Sequence, residues 1–301
     1  MAGTLWEFFG YRATDQSPAA LQAAGSAQCP FLSDTCTKVL RDGTIAGACT
    51  IKPVTSEAVI CCPIRLYADD YKILKDVAEK AFGPGHALEP GRSAVATAKQ
   101  SGKPTVAVFG KRWGGELRLP QRSGKGGYFV DWILAKIDAN GDLEEFVAIE
   151  VQTIDTTGNY RNGITALLKN RAIVSTTAGL NWENVSKRIL PQLIYKGQVL
   201  QRESLCKKGL FFVCPTPVYE RIMERLGGEK GLIRYTMQPA SITFMAYGHD
   251  LSGGVQPGHT VPLRLEVDHT TTVYKMQERF NNVELPRENV YRDAIMTALA
   301  P

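Results

Sequence analysis

No apolar stretch in the sequence approaches the roughly 20 residues that a membrane-spanning helix requires. The opening residues, "MAGTLWEFFGYRATD", carry acids early and lack the layout of a secretion signal. These two absences predict an intracellular protein with no membrane partner. There is no internal repeat and no low-complexity run, so solenoids and long disordered tails are not expected. Paired CxxC spacing is also missing, although there are seven cysteines. In a reducing compartment such thiols are free or metal-bound rather than bridged.

The 301 residues suffice for one large domain or two ordinary ones, each with a proper core. A content of 44% hydrophobic and 22% charged residues is that of a folded globular chain. The net charge of +5 leans toward a polyanionic partner, but many proteins without one are equally basic.

The first 66 residues are rich in Gly, Pro, Ser and Thr with weak periodicity, and longer elements begin at Tyr67. This predicts a loop-rich module over 1–66 and a core over 67–301. "ADDYKILKDVAEKAFGPG" reads as a helix, with acids at its start and Gly83-Pro84 as its stop. A strand is expected at 105–112, then a hairpin over "YFVDWILAKIDANGDLEEFVAIEV" and a helix over "ITALLKNRAIVS". Further on come a helix near 182–204 interrupted or kinked at Pro191, a strand at 209–214, the helix "PVYERIMERLGG", the strand "SITFMAY" and a final helix from Glu288. Mixed strands and helices of this kind give an α/β or α+β core.

The hairpin carries a polar anomaly. In "EEFVAIEVQTID", Val147, Ile149 and Val151 share one strand face, whereas Glu150 and Gln152 share the other with Phe146 and Ala148. Burying a lone carboxylate is costly. Asn140-Gly141 is a strong signal for a two-residue loop, which pairs Ala139 with Asp142 and carries Asp131 opposite Glu150. A four-residue loop keeps that register, while a three- or five-residue loop breaks it. Directly opposed like charges destabilise a sheet, and a divalent cation such as Mg²⁺ offsets them. Gln152 lies next along the same face with a neutral amide. An ordinary hairpin whose half-exposed acids pair with Lys or Arg has the same spacing.

Five cysteines fall between positions 29 and 62: Cys29, Cys36, Cys49, Cys61 and Cys62. Clustering in a loop-rich segment favours a Cys₄ metal site that substitutes for a core; a set of buried free thiols is the plainer alternative. Tetrahedral thiolates accept zinc and iron alike. Cys206 and Cys214 sit in or beside apolar segments and are expected to pack in the core.

An Asp on one strand followed across a hairpin by Glu-x-Lys or Glu-x-Gln resembles the site of PD-(D/E)xK nucleases, here as Asp131 and Glu150-Val151-Gln152. Together with "FFGY", "CPFLSDTCTK", "GACTI" and "VICCPIRL", this pattern resembles the NotI family of type II restriction endonucleases over about the first 160 residues. The resemblance implies an α/β fold with a PD-(D/E)xK core, a mixed sheet flanked by helices, and an N-terminal Cys₄ module. It implies Mg²⁺-dependent cleavage of double-stranded DNA by a homodimer at a GC-rich palindrome containing GGCC. Asp131 and Glu150 would hold the metal, Gln152 would stand where Lys is commoner, and Glu116 in "GGELRLP" would match an upstream glutamate. Glu116 reads equally as a solvated surface acid. The family's Cys₄ site binds iron, and its last ligand precedes a proline, which favours Cys62 over Cys61 beside Cys29, Cys36 and Cys49. Guanine reading and phosphate contacts call for Arg and Lys, with Arg118, Arg122 and Arg161 as candidates by position. The rival readings are a repair or recombination nuclease on the same core, a non-catalytic DNA-binding protein with a Cys₄ module, and a metal-stabilised structural protein.

Overall fold

The computed structural model describes residues 3–117, 129–282 and 287–300. Its centre is a seven-stranded mixed sheet with strands in the order Leu263–Thr272, Ser241–His249, Leu210–Pro215, Leu143–Val151, Trp132–Ile137, Thr105–Gly110 and Leu88–Pro90. The Leu143–Val151 strand lies in the middle, antiparallel to Trp132–Ile137 and parallel to Leu210–Pro215. A central strand in an α/β sheet is covered on both faces, and this one follows that rule. Val147, Ile149 and Val151 pack in one apolar cluster with the helix Ala68–Phe82, while Phe146 and Ala148 pack in another with the helix Leu190–Leu200. Glu150 therefore faces an apolar layer and not solvent.

The expected strand at 105–112 is Thr105–Gly110, and those at 209–214 and "SITFMAY" are Leu210–Pro215 and Ser241–His249. "PVYERIMERLGG" forms the helix Thr216–Arg225, and the last helix is Val290–Leu299. Two helices differ from expectation. The one after the hairpin, Arg161–Asn170, stops at Arg171 in a left-handed conformation, so "AIVS" is not helical. The stretch near 182–204 is a π-turn, Val185–Ile189, leading into Leu190–Leu200. Pro191 is the second residue of that helix, directly after the π-turn, so the change of helix type falls where the proline removes an N–H from the helical ladder. The strand Leu263–Thr272 and the helix Val273–Asn281, both outside the expected elements, close one edge of the sheet.

The N-terminal segment holds more regular structure than its composition suggests. Gly3–Phe8, Tyr11–Arg12, Ala48–Pro53 and Val59–Ile60 form a four-stranded antiparallel sheet. A buried ion pair ties that sheet to the core. Arg65 donates from Nε to Glu7 at 3.0 and 3.1 Å, both side chains are fully buried, and its guanidinium also donates to the Val261 carbonyl. His249 lies 3.1 Å from the same carboxylate. Burial alone would raise the Glu7 pKa, but Arg65 and His249 outweigh it and hold the group at about 2.

Candidate active site

The loop of the hairpin differs from the expected two-residue turn. Asp138 N–H donates to the Asp142 carbonyl at 2.9 Å, which closes a three-residue loop. The Asp138 carboxylate accepts from the N–H groups of Asn140 and Asp142, both at 2.9 Å, and Gly141 takes a φ of +89°. This is the three-residue hairpin whose last loop residue needs positive φ. Such a loop would by itself shift the register by one residue. A bulge between Leu143 and Glu145 cancels the shift, and Glu145 to Ile149 then pair with Lys136 to Trp132 in the expected register.

That register runs on to place Asp131 beside Glu150. Asp131 Oδ2 accepts the Val151 N–H at 2.8 Å, so the carboxylate completes the ladder where the main chain of its own strand ends. The residue remains solvent-accessible, yet its carboxylate end is crowded enough that desolvation raises its pKa, opposed by the Val151 N–H and Lys196. Glu150 is buried, and desolvation followed by repulsion from Asp131 pushes it up to about 7. Gln152, half-buried, extends the parallel ladder by donating its N–H to the Val213 carbonyl at 3.0 Å.

A residue outside the sequence motif completes the group. Lys196, on the helix Leu190–Leu200, places Nζ 2.6 Å from Glu150 Oε2, with only 19% of its side chain exposed. The signal for it is present in the sequence. Leu193, Lys196, Gly197 and Leu200 recur at helical spacing, and a lysine within an apolar stripe is an anomaly. The neighbours Leu193, Gly197 and Leu200 are all buried. Gly197 lets this helix approach the next, since a Cβ there would meet Val273 Cγ2 at 2.3 Å.

The other candidates lie apart from this pair. Glu116 is exposed in the segment that follows Thr105–Gly110. Arg161 begins the helix Arg161–Asn170 and pairs with Asp42 at 2.6 Å. Arg118 and Arg122 lie outside the described residues. Among the described residues no three His, Cys, Asp or Glu side chains converge closely enough to hold a metal ion. The oxygen-rich Asp131–Glu150 pair nevertheless has the donor chemistry of a Mg²⁺ site, because such sites use one or two carboxylates and fill the remainder with water and phosphate.

Cys29, Cys36, Cys49 and Cys62 line one cavity of about 10 Å³, close to the volume of a single water-sized sphere. Phe9, Leu32, Ala48 and Ile64 line it too. Burial raises the pKa of Cys29 and of Cys49, and pushes Cys62 up to about 11. Sulfur is a donor type that Zn²⁺ and iron both accept, but among the described residues these thiols do not converge into a metal-holding group. Cys61 is directed elsewhere: Lys38 donates to its sulfur at 3.4 Å and to its carbonyl at 3.1 Å. Cys206 and Cys214 are buried in the core.

A family model described as restriction endonuclease NotI matches residues 8–224, most of the chain. The chain belongs to the NotI restriction endonuclease family. It is accordingly a site-specific deoxyribonuclease, and its family acts on double-stranded DNA, a chemistry that generally needs Mg²⁺. The match includes the hairpin, Lys196 and all seven cysteines. No curated protein matches the sequence. Among the described residues no helix is long and apolar enough to cross a membrane.

Proposed function

We propose that this family member is an EagI-like type II restriction endonuclease of the PD-(D/E)xK group. It works in the cytoplasm as a homodimer and cuts at a CGGCCG-like palindrome containing GGCC. Asp131 and Glu150 hold Mg²⁺, and the observation that carries this assignment is the register that sets Asp131 beside Glu150, with Val151 N–H fixing the Asp131 carboxylate. When bound, Mg²⁺ supplies Lewis acidity toward the scissile phosphate and lowers the pKa of a ligated water. A cation there also removes the repulsion that raises the Glu150 pKa. Gln152, on the same strand face, offers an amide to the attacking water or to a phosphate oxygen. Water loses one proton to solvent as its oxygen bonds to phosphorus in line with the P–O3′ bond, which breaks as the 3′ oxygen takes up a proton from solvent. Glu116 lies upstream as an accessory acid, and Arg118, Arg122 and Arg161 contact bases and phosphates.

Residues 1–66 form a Cys₄ module and 67–301 the nuclease core. Cys29, Cys36, Cys49 and Cys62 hold a structural iron or zinc, supported by their shared cavity. Four thiolates leave no open position, so the site places the module and performs no hydrolysis.

Digestion of GC-rich DNA with Mg²⁺ tests the proposal. Wild type is expected to give discrete double-strand cuts and Asp131→Ala none. Full activity in that variant would remove Asp131 from the mechanism.

A further inference from the structure

The Glu150-Val151-Gln152 motif lacks the cation that the commoner Glu-x-Lys form supplies, because Gln152 is neutral. Hydrolysis of a phosphodiester still develops negative charge on oxygen, and a fixed ammonium stabilises it in a water-poor site. The structure supplies an ammonium from another element. We infer that Lys196 replaces the missing motif lysine, acting from the helix Leu190–Leu200 on the attacking water and the scissile phosphate held at Asp131 and Glu150.

Three observations carry this. Lys196 Nζ sits 2.6 Å from Glu150 Oε2, and among the described residues it is the cation paired with this carboxylate couple. Its side chain crosses an apolar layer to get there, flanked by the buried Leu193 and Leu200. Gly197, next to it, brings the helix in against Val273. A lysine placed there for solubility would point outward, and a largely shielded charge without a role is a cost. Glu150 faces Lys196 from the sheet and Asp131 from the neighbouring strand, so the ammonium offsets the carboxylate pair in the absence of metal. When a divalent cation occupies the carboxylates, Nζ is free to turn toward a phosphate oxygen.

The inference rests on the proposed nuclease site, and the experiment separates the two. Single-turnover cleavage, DNA affinity in Ca²⁺, Mn²⁺ binding by electron paramagnetic resonance and thermal stability are measured for wild type, Asp131→Ala, Lys196→Met, Lys196→Arg and the double variant Lys196→Met/Gln152→Lys. An active Asp131→Ala would defeat the nuclease site itself. With Asp131→Ala inactive, Lys196→Met is expected to cut at least about 100-fold more slowly, while keeping DNA affinity and Mn²⁺ binding. Lys196→Arg retains the charge and is expected to lie between the two. Returning the lysine to the motif in the double variant is expected to raise the rate at least about 10-fold over Lys196→Met, because the ammonium reaches the same phosphate from the strand. A wild-type rate in Lys196→Met, or no rescue by Gln152→Lys, would overturn the assignment. Weakened Mn²⁺ binding by Lys196→Met would also overturn it, since Lys196 would then be a support for Glu150. Lys196→Arg serves as the folded reference if Lys196→Met is unstable.

Discussion

Glu150 shows how one residue's surroundings set its chemistry. Its ordinary pKa of 4.5 rises to about 7 because burial and Asp131 both disfavour its charge. Between those two values the folded state holds a proton that the unfolded chain has released, so this group makes stability fall as pH rises from 4.5 through about 7. Above that range its contribution is constant. We expect metal-free wild type to lose urea resistance across this window relative to Glu150→Gln, which has no carboxyl to ionise there. Parallel denaturation curves at pH 5 and pH 8, showing a constant gap between the proteins, would contradict the raised pKa that burial and Asp131 impose. A divalent cation should shrink the effect, since it stabilises the ionised pair.

At the scale of elements, the site depends on how closely two helices approach. Leu190–Leu200 carries Lys196, and its Gly197 packs under Val273 at the start of Val273–Asn281. Gly197→Ala gains about 1 kcal/mol of helix propensity. It also forces a Cβ to 2.3 Å from a stiff, β-branched side chain, an overpacking cost of about 1–3 kcal/mol. We expect a net loss of stability and slower cleavage, as the helix moves off and takes Lys196 with it. In a double-mutant cycle the Gly197→Ala penalty should be smaller in a Val273→Ala background. Strict additivity would show that the two helices do not meet at this point. The hairpin teaches a related lesson. Its loop is one residue away from the register the site needs, and the bulge at Leu143–Glu145 restores it.

For the molecule as a whole, the N-terminal sheet is fastened by polar means. The buried Glu7–Arg65 pair links it to the Val261 carbonyl and to His249 on the central sheet. Losing one partner of such a pair typically costs about 3–5 kcal/mol. The proposed Cys₄ site would be a second fastening, since Cys29, Cys36, Cys49 and Cys62 line one cavity together with Phe9 and Ile64. We expect purified protein to contain roughly one iron or zinc per chain, and Cys49→Ser to lose the metal together with several degrees of thermal stability. Elemental analysis that finds neither metal would reduce the cavity to a set of buried thiols.

Local sequence is enough to set the alternation of Glu150 and Gln152 with Phe146 and Ala148, the strands that flank them, and the cysteine grouping. These are local properties, set by side-chain period and turn chemistry over a few residues. It also carried the lysine within the stripe of Leu193, Gly197 and Leu200, though not what that lysine meets. Folding in three dimensions is what brings Lys196 to Glu150 and joins Arg65 to Glu7, and it agrees with the proline after Cys62 in lining the cavity with that cysteine and not Cys61. Lys196 is 46 residues from Glu150 and Arg65 is 58 from Glu7. Contacts across such separations are fixed by the packing of helices and strands on one another, which no local pattern encodes.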